Sequence, residues 1–337
     1  MTLSGNIAFF KKMIFAPLIW LGAILMLAIK FIRKVHTVTT GSSDKPLMLL
    51  LHGFPELWGM WEHQLSHFKK GYNVAAIDMR GYGESSRPGD PRDYYIDRLV
   101  QDVVDVVHEL GYKTCVLVGH DWGGKVAWTT AIMHPETIER LVVISAPHPT
   151  AYKDPDCFTF KQNLKSSYFQ LFYAKGLAER VLLNSDVGLV DDSLKNPPKG
   201  PCTPGAISDS EIIRTKAALA QKPGEGTEPC PISAATAALN YYRGWVDNET
   251  WKPIPEIDEA CAKMLEIPTL VLHGKEDGYF RSEMFNNLDK HVRHLVLPPA
   301  LEDCSHWCPQ DQPEAVDKHI GEFLATKFPA YQAPQIV

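Results

Sequence analysis

Short apolar runs recur along the chain from residue 47 onward, and within them apolar residues do not alternate with polar ones. Such runs are typical of strands that are covered on both faces. They predict strands at residues 47–51, 74–77, 115–118, 141–144, 269–272 and 294–297. Because helical segments separate several of these strands, the pattern predicts an α/β fold with a mostly parallel sheet.

Two helices are also predicted, one from the spacing of apolar residues and one from a capping sequence. Between the second and third strands, apolar residues recur with the helical period from Ile96 to Leu110, and Gly111 ends the helix. Near the C-terminus, Asp311-Gln312-Pro313-Glu314 is typical of a capped helix start. We therefore expect a final helix that begins at this point and is capped by these side chains.

The alternation of strands with helices stops between residues 144 and 269, where no comparable strand is predicted. This stretch holds Tyr-, Phe- and Leu-rich helical segments and two sections rich in Pro and Gly. We interpret residues 150–259 as an inserted helical lid, and residues 35–149 and 260–337 as the core. Ligands of open α/β sheets bind at the carboxyl ends of the strands, so we expect the lid to cover that edge.

The segment of residues 13–29 carries no charged residue, and basic residues flank it on both sides. As a helix it would be about 26 Å long, at the short end of what spans a bilayer. A cleaved signal peptide would need small residues at its cleavage site, and a buried or interfacial helix would need a polar face. This segment has neither feature. We therefore expect residues 1–34 to form a single-pass anchor in the endoplasmic reticulum membrane. The positive-inside rule places the remaining chain in the cytosol.

The composition is that of an ordinary globular protein, with 45% hydrophobic and 22% charged residues among 337. A net charge of −6 argues against a nucleic-acid-binding surface, which needs clustered basic residues. The seven cysteines are an odd number in a long chain, which favours reduced thiols. Residues 304–308 include three possible metal ligands, but no further Cys or His pair lies at zinc-site spacing. We expect neither a metal nor a cofactor.

The third predicted strand runs directly into Gly119-His120-Asp121-Trp122-Gly123-Gly124, and a helix follows. Glycines on both sides of one reactive residue, between a strand and a helix, form a nucleophile elbow. The central residue is Asp121, which with an ordinary pKa of about 3.9 is ionised at neutral pH. It can attack a saturated carbon without a base and form an ester. The alternative is that Asp121 only caps the helix, beside glycines that allow close packing.

Two further candidates follow the fifth and sixth predicted strands. Asp277 lies just after the fifth strand, and His306 lies after the sixth. The order nucleophile, acid, histidine is the order of α/β-hydrolases. We expect His306 to activate water and Asp277 to orient its ring, with Glu276 as the less favoured alternative.

A loop with the residues His52-Gly53-Phe54-Pro55 follows the first predicted strand. In this place the backbone N–H groups of Phe54 and Trp122 would form an oxyanion hole. We expect His52, Pro55 and Trp122 to contact the substrate. The alternative interpretation is an ordinary Gly-Pro turn.

Together these motifs resemble the soluble-type and membrane-anchored epoxide hydrolases of the α/β-hydrolase superfamily, over about residues 35–327. The resemblance rests on H-G-F-P at His52, R-G-Y-G at Arg80, G-H-D-W-G-G at Gly119 and N-Y-Y-R-G at Asn240. It implies an α/β-hydrolase fold in which two lid tyrosines, Tyr168 and Tyr242, donate hydrogen bonds to the epoxide oxygen. The family usually begins with two antiparallel strands, whereas here only residues 35–40 precede the first apolar strand, so one edge strand is expected to be missing or replaced.

Several related activities fit the elbow less well. Haloalkane dehalogenases share it but need a second halide donor, often an Asn, where this chain has Phe54. Fluoroacetate dehalogenases have an Arg at the position of Trp122, and a serine esterase would need a serine in the elbow. A non-catalytic ligand-binding relative would not need the complete set of Asp121, Asp277 and His306. The anchor and the apolar lid favour a lipophilic epoxide, such as a fatty-acid epoxide, as the substrate.

Overall fold

The computed structural model describes residues 34–226, 230–244 and 259–329. From Val35 onward, the described residues belong to one compact unit. The predicted anchor of residues 13–29 lies outside the described residues. In the part of the chain that is described, no helix is both long and apolar enough to cross a membrane.

Seven strands form a single sheet in the order β1-β3-β2-β4-β5-β6-β7. They are β1 (Thr37–Thr40), β2 (Leu47–Leu51), β3 (Asn73–Ile77), β4 (Cys115–His120), β5 (Ile138–Ile144), β6 (Thr269–Leu272) and β7 (Leu295–Val296). All neighbouring pairs are parallel except β1 with β3. The sheet therefore has one antiparallel edge strand within the described residues, in agreement with the short stretch available before β2.

Ten α-helices accompany the sheet in the described ranges. They are α1 (Glu62–Phe68), α2 (Ile96–Glu109), α3 (Trp122–Met133), α4 (Phe160–Lys165), α5 (Tyr168–Tyr173), α6 (Leu177–Leu194), α7 (Asp209–Leu219), α8 (Ala234–Arg243), α9 (Cys308–Asp311) and α10 (Pro313–Ala325). Helix α6 is interrupted by non-helical backbone from Asn184 to Val187. Short 3-10 turns connect several of these elements.

The apolar runs became strands because the sheet is buried on both faces. Along β2, Leu47, Leu49 and Leu51 pack into the core on one face, while Met48 and Leu50 pack into the core on the other. Burial of all five side chains explains why the run is continuous rather than alternating. The α/β fold with a mostly parallel sheet that the sequence predicts is confirmed.

The described residues between β5 and β6 lie mostly in helices and turns and include no strand. Helices α5, α6 and α8 pack on one another, and α7 packs on α6 and α8. The prediction of helical structure in this region is confirmed. We refer to the described residues between β5 and β6 as the helical insertion.

The last helix begins where it was predicted, but the prediction that side chains cap it is wrong. Helix α10 begins at Pro313 as expected, but no side chain caps it. Instead the Asp311 carboxylate accepts hydrogen bonds from the backbone N–H groups of Cys202, Thr203 and Ser305. The reason is that Asp311 ends the short helix α9, which turns its side chain toward these loops rather than toward α10.

Candidate active site

Asp121 occupies a sharp turn between β4 and α3. Its backbone has φ 52° and ψ −119°, a left-handed conformation that non-glycine residues rarely adopt. The turn requires glycines nearby: a Cβ atom on Gly119 would lie 2.4 Å from the carbonyl oxygen of Gly123, and one on Gly123 would lie 2.3 Å from the carbonyl oxygen of Leu51. The Asp121 side chain makes no capping hydrogen bond to the helix, so the capping interpretation is wrong.

The two carboxylate oxygens of Asp121 face different groups. Oδ1 accepts a hydrogen bond of 2.9 Å from the backbone N–H of Phe54, in the loop after β2. Oδ2 lies 3.4 Å from Nε2 of His306. Burial would raise the pKa of Asp121, but the hydrogen bond and charge of His306 outweigh it and lower the pKa below its ordinary value. Asp121, whose side chain is 13% exposed, is therefore a carboxylate in its ionised form.

His306 is held between two carboxylates. Its Nδ1 lies 2.8 Å from Oδ2 of Asp277. Oδ1 of Asp277 accepts hydrogen bonds from the backbone N–H groups of Tyr279 and Phe280, which fix the carboxylate. Burial alone would lower the pKa of His306, but the charges of Asp277 and Asp121 raise it to about 10. Glu276 is exposed, so the structure places Asp277 rather than Glu276 beside the histidine.

The two predicted tyrosines enter this region from the helical insertion. Tyr168 is the first residue of α5, and Tyr242 lies in the last turn of α8. Their ring centroids are 6.1 Å apart. Burial raises the pKa of both phenols well above 10, and the negative charge of Asp121 adds to the effect. Both side chains are therefore neutral and able to donate a proton.

Adjacent tyrosines on α8 have different partners. The hydroxyl of Tyr241 donates a hydrogen bond of 2.7 Å to the backbone carbonyl of Arg80. Tyr242 forms a hydrogen bond with the Trp122 side chain, whose indole N–H can only donate. The phenol proton of Tyr242 is thus not engaged by Trp122, whereas that of Tyr241 is used in the fold.

A cavity lies beside Asp121. Its lining is aromatic and apolar apart from a few polar groups, and it comprises Asp121, Trp122, Lys125, Ala146, Pro147, Tyr152, Tyr168, Phe169 and Phe280. His52 and Pro55 were expected to contact the substrate, but neither residue is among those that line this cavity. His52 is turned into the fold, where Nε2 accepts from the N–H of Met79 and Nδ1 lies 2.8 Å from the carbonyl of Gly53.

A buried acid and histidine behind the elbow were not identified in the sequence. Oε2 of Glu56 lies 3.4 Å from Nδ1 of His120, and both side chains are almost completely buried. Nε2 of His120 lies 3.0 Å from the carbonyl oxygen of His306. Gln310 donates to the other oxygen of Glu56. These contacts join the loop after β2 to the loop that carries His306. The available signal was that His120 lies inside the G-H-D-W-G-G motif and that Glu56 directly follows H-G-F-P.

An ion pair within the helical insertion was also missed. Arg243, at the end of α8, donates to both carboxylate oxygens of Glu179 at 2.8 and 3.1 Å and to the carbonyl of Phe172 at 3.0 Å. Arg243 is the residue after Tyr242, and Phe172 lies on the helix that begins with Tyr168. The pair therefore holds together the helices that carry the two tyrosines.

Residues 304–308 do not form a metal site in the structure. The thiol of Cys308 lies 3.4 Å from the hydroxyl of Ser145 and contacts the carbonyl of Ser305. Among the described residues, no cluster of three or more His, Cys, Asp or Glu side chains is arranged to hold a metal ion.

Comparison with known proteins places this geometry in a family. Residues 46–309 match the family model of the α/β hydrolase fold. The chain is 35% identical to human epoxide hydrolase 4 over 86% of this chain and 75% of that protein. It is also 35% identical to epoxide hydrolase 3 of Xenopus tropicalis, over 88% of this chain and 76% of that protein.

A solved structure gives the same result. The crystal structure of an epoxide hydrolase from Vigna radiata superposes with a TM-score of 0.70 at 28% identity, over 87% of this chain and 94% of that one. The sheet order, the aspartate elbow and these likenesses agree. The chain belongs to the α/β-hydrolase fold family and, within it, to the epoxide hydrolases.

Proposed function

We propose that this epoxide hydrolase opens a lipophilic epoxide to a vicinal diol through a covalent ester on Asp121. The observation that carries the proposal is the division of the Asp121 carboxylate between two partners. Oδ1 is held by the N–H of Phe54, whereas Oδ2 faces His306. In this proposal, Oδ1 becomes the carbonyl oxygen of the ester and Oδ2 is the nucleophile.

In the first half-reaction, Oδ2 of Asp121 attacks a carbon of the epoxide ring. The bond between that carbon and the ring oxygen breaks, and its electron pair remains on the oxygen. Tyr168 and Tyr242 donate hydrogen bonds to this alkoxide, and one of them gives it a proton. That tyrosine recovers its proton from solvent, and His306, whose pKa is held at about 10 by two carboxylates, is still protonated at this stage. The product is a hydroxyalkyl ester on Asp121.

The ester changes the charge around His306. Because Asp121 is now neutral, one of the two anions that raised the pKa of His306 is lost, and the neutral imidazole is favoured. Neutral His306 takes a proton from water, and the resulting hydroxide attacks the carbonyl carbon. The negative charge of the tetrahedral intermediate develops on Oδ1, where the N–H of Phe54, with that of Trp122 as the second proposed donor, stabilises it. Collapse of this intermediate breaks the bond between the carboxyl carbon and the substrate oxygen, which takes the proton of the added hydroxyl group. The diol leaves, Asp121 is again a carboxylate, and His306 retains the proton that it took from water.

A single turnover in ¹⁸O-water tests this function. With enzyme in excess over styrene oxide, the diol should be mostly unlabelled, because its new oxygen comes from Asp121. The label should appear in the peptide that contains Asp121. Fully labelled diol in the first turnover would mean that water attacks the epoxide directly. A chloroalkane supplied in parallel should not be turned over at a comparable rate, since the side chain of Phe54 offers no halide donor.

The lipophilic character of the substrate is supported by the aromatic lining of the cavity beside Asp121. We also propose, from the sequence pattern, that residues 150–259 form a lid on a core of residues 35–149 and 260–337.

The sequence pattern supports a further proposal, that residues 1–34 anchor the enzyme in the endoplasmic reticulum membrane with the catalytic part in the cytosol. The full chain should then resist carbonate extraction from membranes, whereas a chain that begins at Val35 should be extracted. Equal extraction of both would refute the anchor.

A further inference from the structure

A short helix of the helical insertion contacts the loop that carries Asp277. The side chain of Gln162, on α4, is completely buried. Its Nε2 donates a hydrogen bond of 2.9 Å to the backbone carbonyl of Tyr279, and its Oε1 accepts one of 2.9 Å from the backbone N–H of Arg281. Because a carbonyl only accepts and an N–H only donates, these two partners fix the orientation of the amide.

The peptide group between Tyr279 and Phe280 joins Gln162 to Asp277. Its carbonyl oxygen accepts from Gln162, and its N–H donates to Oδ1 of Asp277 at 2.8 Å. The other carboxylate oxygen of Asp277 lies 2.8 Å from Nδ1 of His306. Since hydrogen bonds in a chain polarise one another, the bond from Gln162 strengthens the next one. One chain of contacts therefore runs from α4 to the ring of His306.

A second contact from α4 holds the same loop. Nζ of Lys165 donates a hydrogen bond of 2.7 Å to the backbone carbonyl of Asp277. Tyr168 begins the next helix, and its ring centroid lies 5.8 Å from that of Tyr279. The stretch of the insertion that presents Tyr168 thus also contacts the loop that supports His306.

Packing alone gives no physical reason for an amide at the position of Gln162. A methionine of similar length would fill the same space without the cost of burying a polar group. The position of Asp277 matters most in the second half-reaction of the proposed mechanism. Once Asp121 is esterified, Asp277 is the remaining charged member of the two carboxylates that contact His306.

We infer that Gln162 is a positioning residue that, through the loop of residues 277–281, holds the Asp277 carboxylate against His306 and thereby sets the rate of ester hydrolysis. The inference rests on the proposed function and adds to it a residue that does not line the cavity. It gives the helical insertion a part in both half-reactions. Tyr168 acts when the epoxide opens, and Gln162 acts through Asp277 when the ester is hydrolysed.

The test measures the two half-reactions separately by rapid quench with styrene oxide. Gln162→Met keeps the length of the side chain and removes both hydrogen bonds to the loop. We expect the maximal rate of ester hydrolysis to fall roughly 10-fold or more while ester formation stays within about 2-fold, since a misplacement of about 1 Å can cost about 10²-fold. The ester on Asp121 should therefore accumulate during turnover. Gln170→Met, the same change at an exposed position of α5, is the matched control and should leave both rates unchanged.

The pH dependence of hydrolysis distinguishes positioning from a general weakening of the fold. Among the described residues, the titratable side chains with contacts to His306 are Asp277, Asp121, His120 and Tyr279. A less firmly held Asp277 stabilises the imidazolium less, so the pKa of His306 in the ester falls. The pH at which hydrolysis reaches half of its maximal rate should therefore move to a lower value in Gln162→Met. A smaller fraction of folded enzyme would reduce the rate without moving this midpoint.

Equal losses in both half-reactions, or an unmoved midpoint, would overturn the inference. If Gln162→Met does not fold, Lys165→Met is the second variant, because this position is only half-buried. It removes the other bond to the loop and should slow hydrolysis more than ester formation, whereas Lys165→Arg keeps a donor and should recover part of the rate. Equal slowing of the two steps in Lys165→Met would also overturn the inference.

A proton NMR measurement needs no turnover. The proton between Nδ1 of His306 and Asp277 should give a far-downfield signal in the wild-type enzyme. This signal should shift or weaken in Gln162→Met and persist in Gln170→Met. An unchanged signal in Gln162→Met would overturn the inference. Failure of the proposed function looks different, because no ester would then form on Asp121 in the wild-type enzyme, and the NMR comparison still decides the role of Gln162.

Discussion

Asp121 and His306 are held by hydrogen bonds from loops at the ends of strands, whereas Tyr168 and Tyr242 are held mainly by the packing of aromatic rings. On the core side, Oδ1 of Asp121 accepts from Phe54, and Nδ1 of His306 pairs with Asp277. On the side of the helical insertion, the ring of Tyr242 packs within 4.8 to 5.3 Å of the rings of neighbouring aromatic residues, among them Phe54, Phe169 and Phe172.

This difference matches what each side must do. A carboxylate that donates an electron pair to carbon and an imidazole that transfers protons need fixed directions, which short hydrogen bonds supply. Phenols that follow an oxygen as the ring opens need proximity and the absence of water, which ring packing supplies. Changes on the core side should therefore stop one chemical step completely. Changes around Tyr168 and Tyr242 should slow ring opening by degrees or weaken the fold.

The largest expected effect is in His306→Gln. Asp121 remains charged and attacks the epoxide, but no base activates water, so the ester should accumulate. At pH 8 we expect a burst of one equivalent and a mass increase equal to one substrate on the Asp121 peptide, with steady-state diol formation reduced by at least about 10³-fold. Asp121→Ala is the control and should give neither adduct nor diol. The absence of any adduct in His306→Gln would contradict the proposed division of labour.

Removing the tyrosine hydroxyls should have a smaller, graded effect. Tyr168→Phe or Tyr242→Phe removes one donor to the alkoxide and should slow the ester-forming step by roughly 10²-fold, and the double variant should nearly abolish it. Tyr241→Phe is the matched control, since its hydroxyl binds the carbonyl of Arg80 and should affect stability by about 1 kcal/mol rather than ring opening. Normal single-turnover kinetics in the double variant would show that other groups stabilise the alkoxide.

The ion pair in the helical insertion should affect stability. In Arg243→Met, Glu179 loses both hydrogen bonds from a buried guanidinium, and we expect a loss of about 2 to 4 kcal/mol in the free energy of unfolding, reduced because the Glu179 side chain is 18% exposed. Lys195→Met breaks the exposed pair with Asp191 and should cost less than about 0.5 kcal/mol. Denaturant titration measures both. Equal values would mean that the Arg243 pair does not hold the helices together.

The smallest effect is a shift in pH dependence. His306 lowers the pKa of Asp121, so the rate of ester formation in the wild-type enzyme should be level down to about pH 5. In His306→Gln the burial of Asp121 remains but its partner is lost, so the pKa rises and the rate should begin to fall at a higher pH. Stopped-flow tryptophan fluorescence follows this step, and superimposable profiles of the two enzymes would refute the coupling.

The sequence predicted the strands and the core half of the site because the information there is local. Strands β2 and β6 lie at the residues that their continuous apolar runs predicted. Asp121 lies in a glycine-rich turn, a local sequence pattern that few other structures share. The missed features depend on contacts between distant positions. Nothing near Glu179 indicates that it pairs with Arg243, and Gln162 has the sequence context of an ordinary helix residue. His52 was expected at the substrate, but the strand turns its ring toward Met79 instead.

The position of the helical insertion has a consequence for synthesis on the ribosome. Strand β6 pairs with β5, yet about 120 residues separate them in the chain. At the 5–20 residues per second of translation, β5 waits roughly 6 to 25 s for its neighbour. During that time the unpaired edge of a strand from the centre of the sheet is open to other chains. The insertion is synthesised during this interval, so it is the segment of the chain available to cover this edge before β6 emerges.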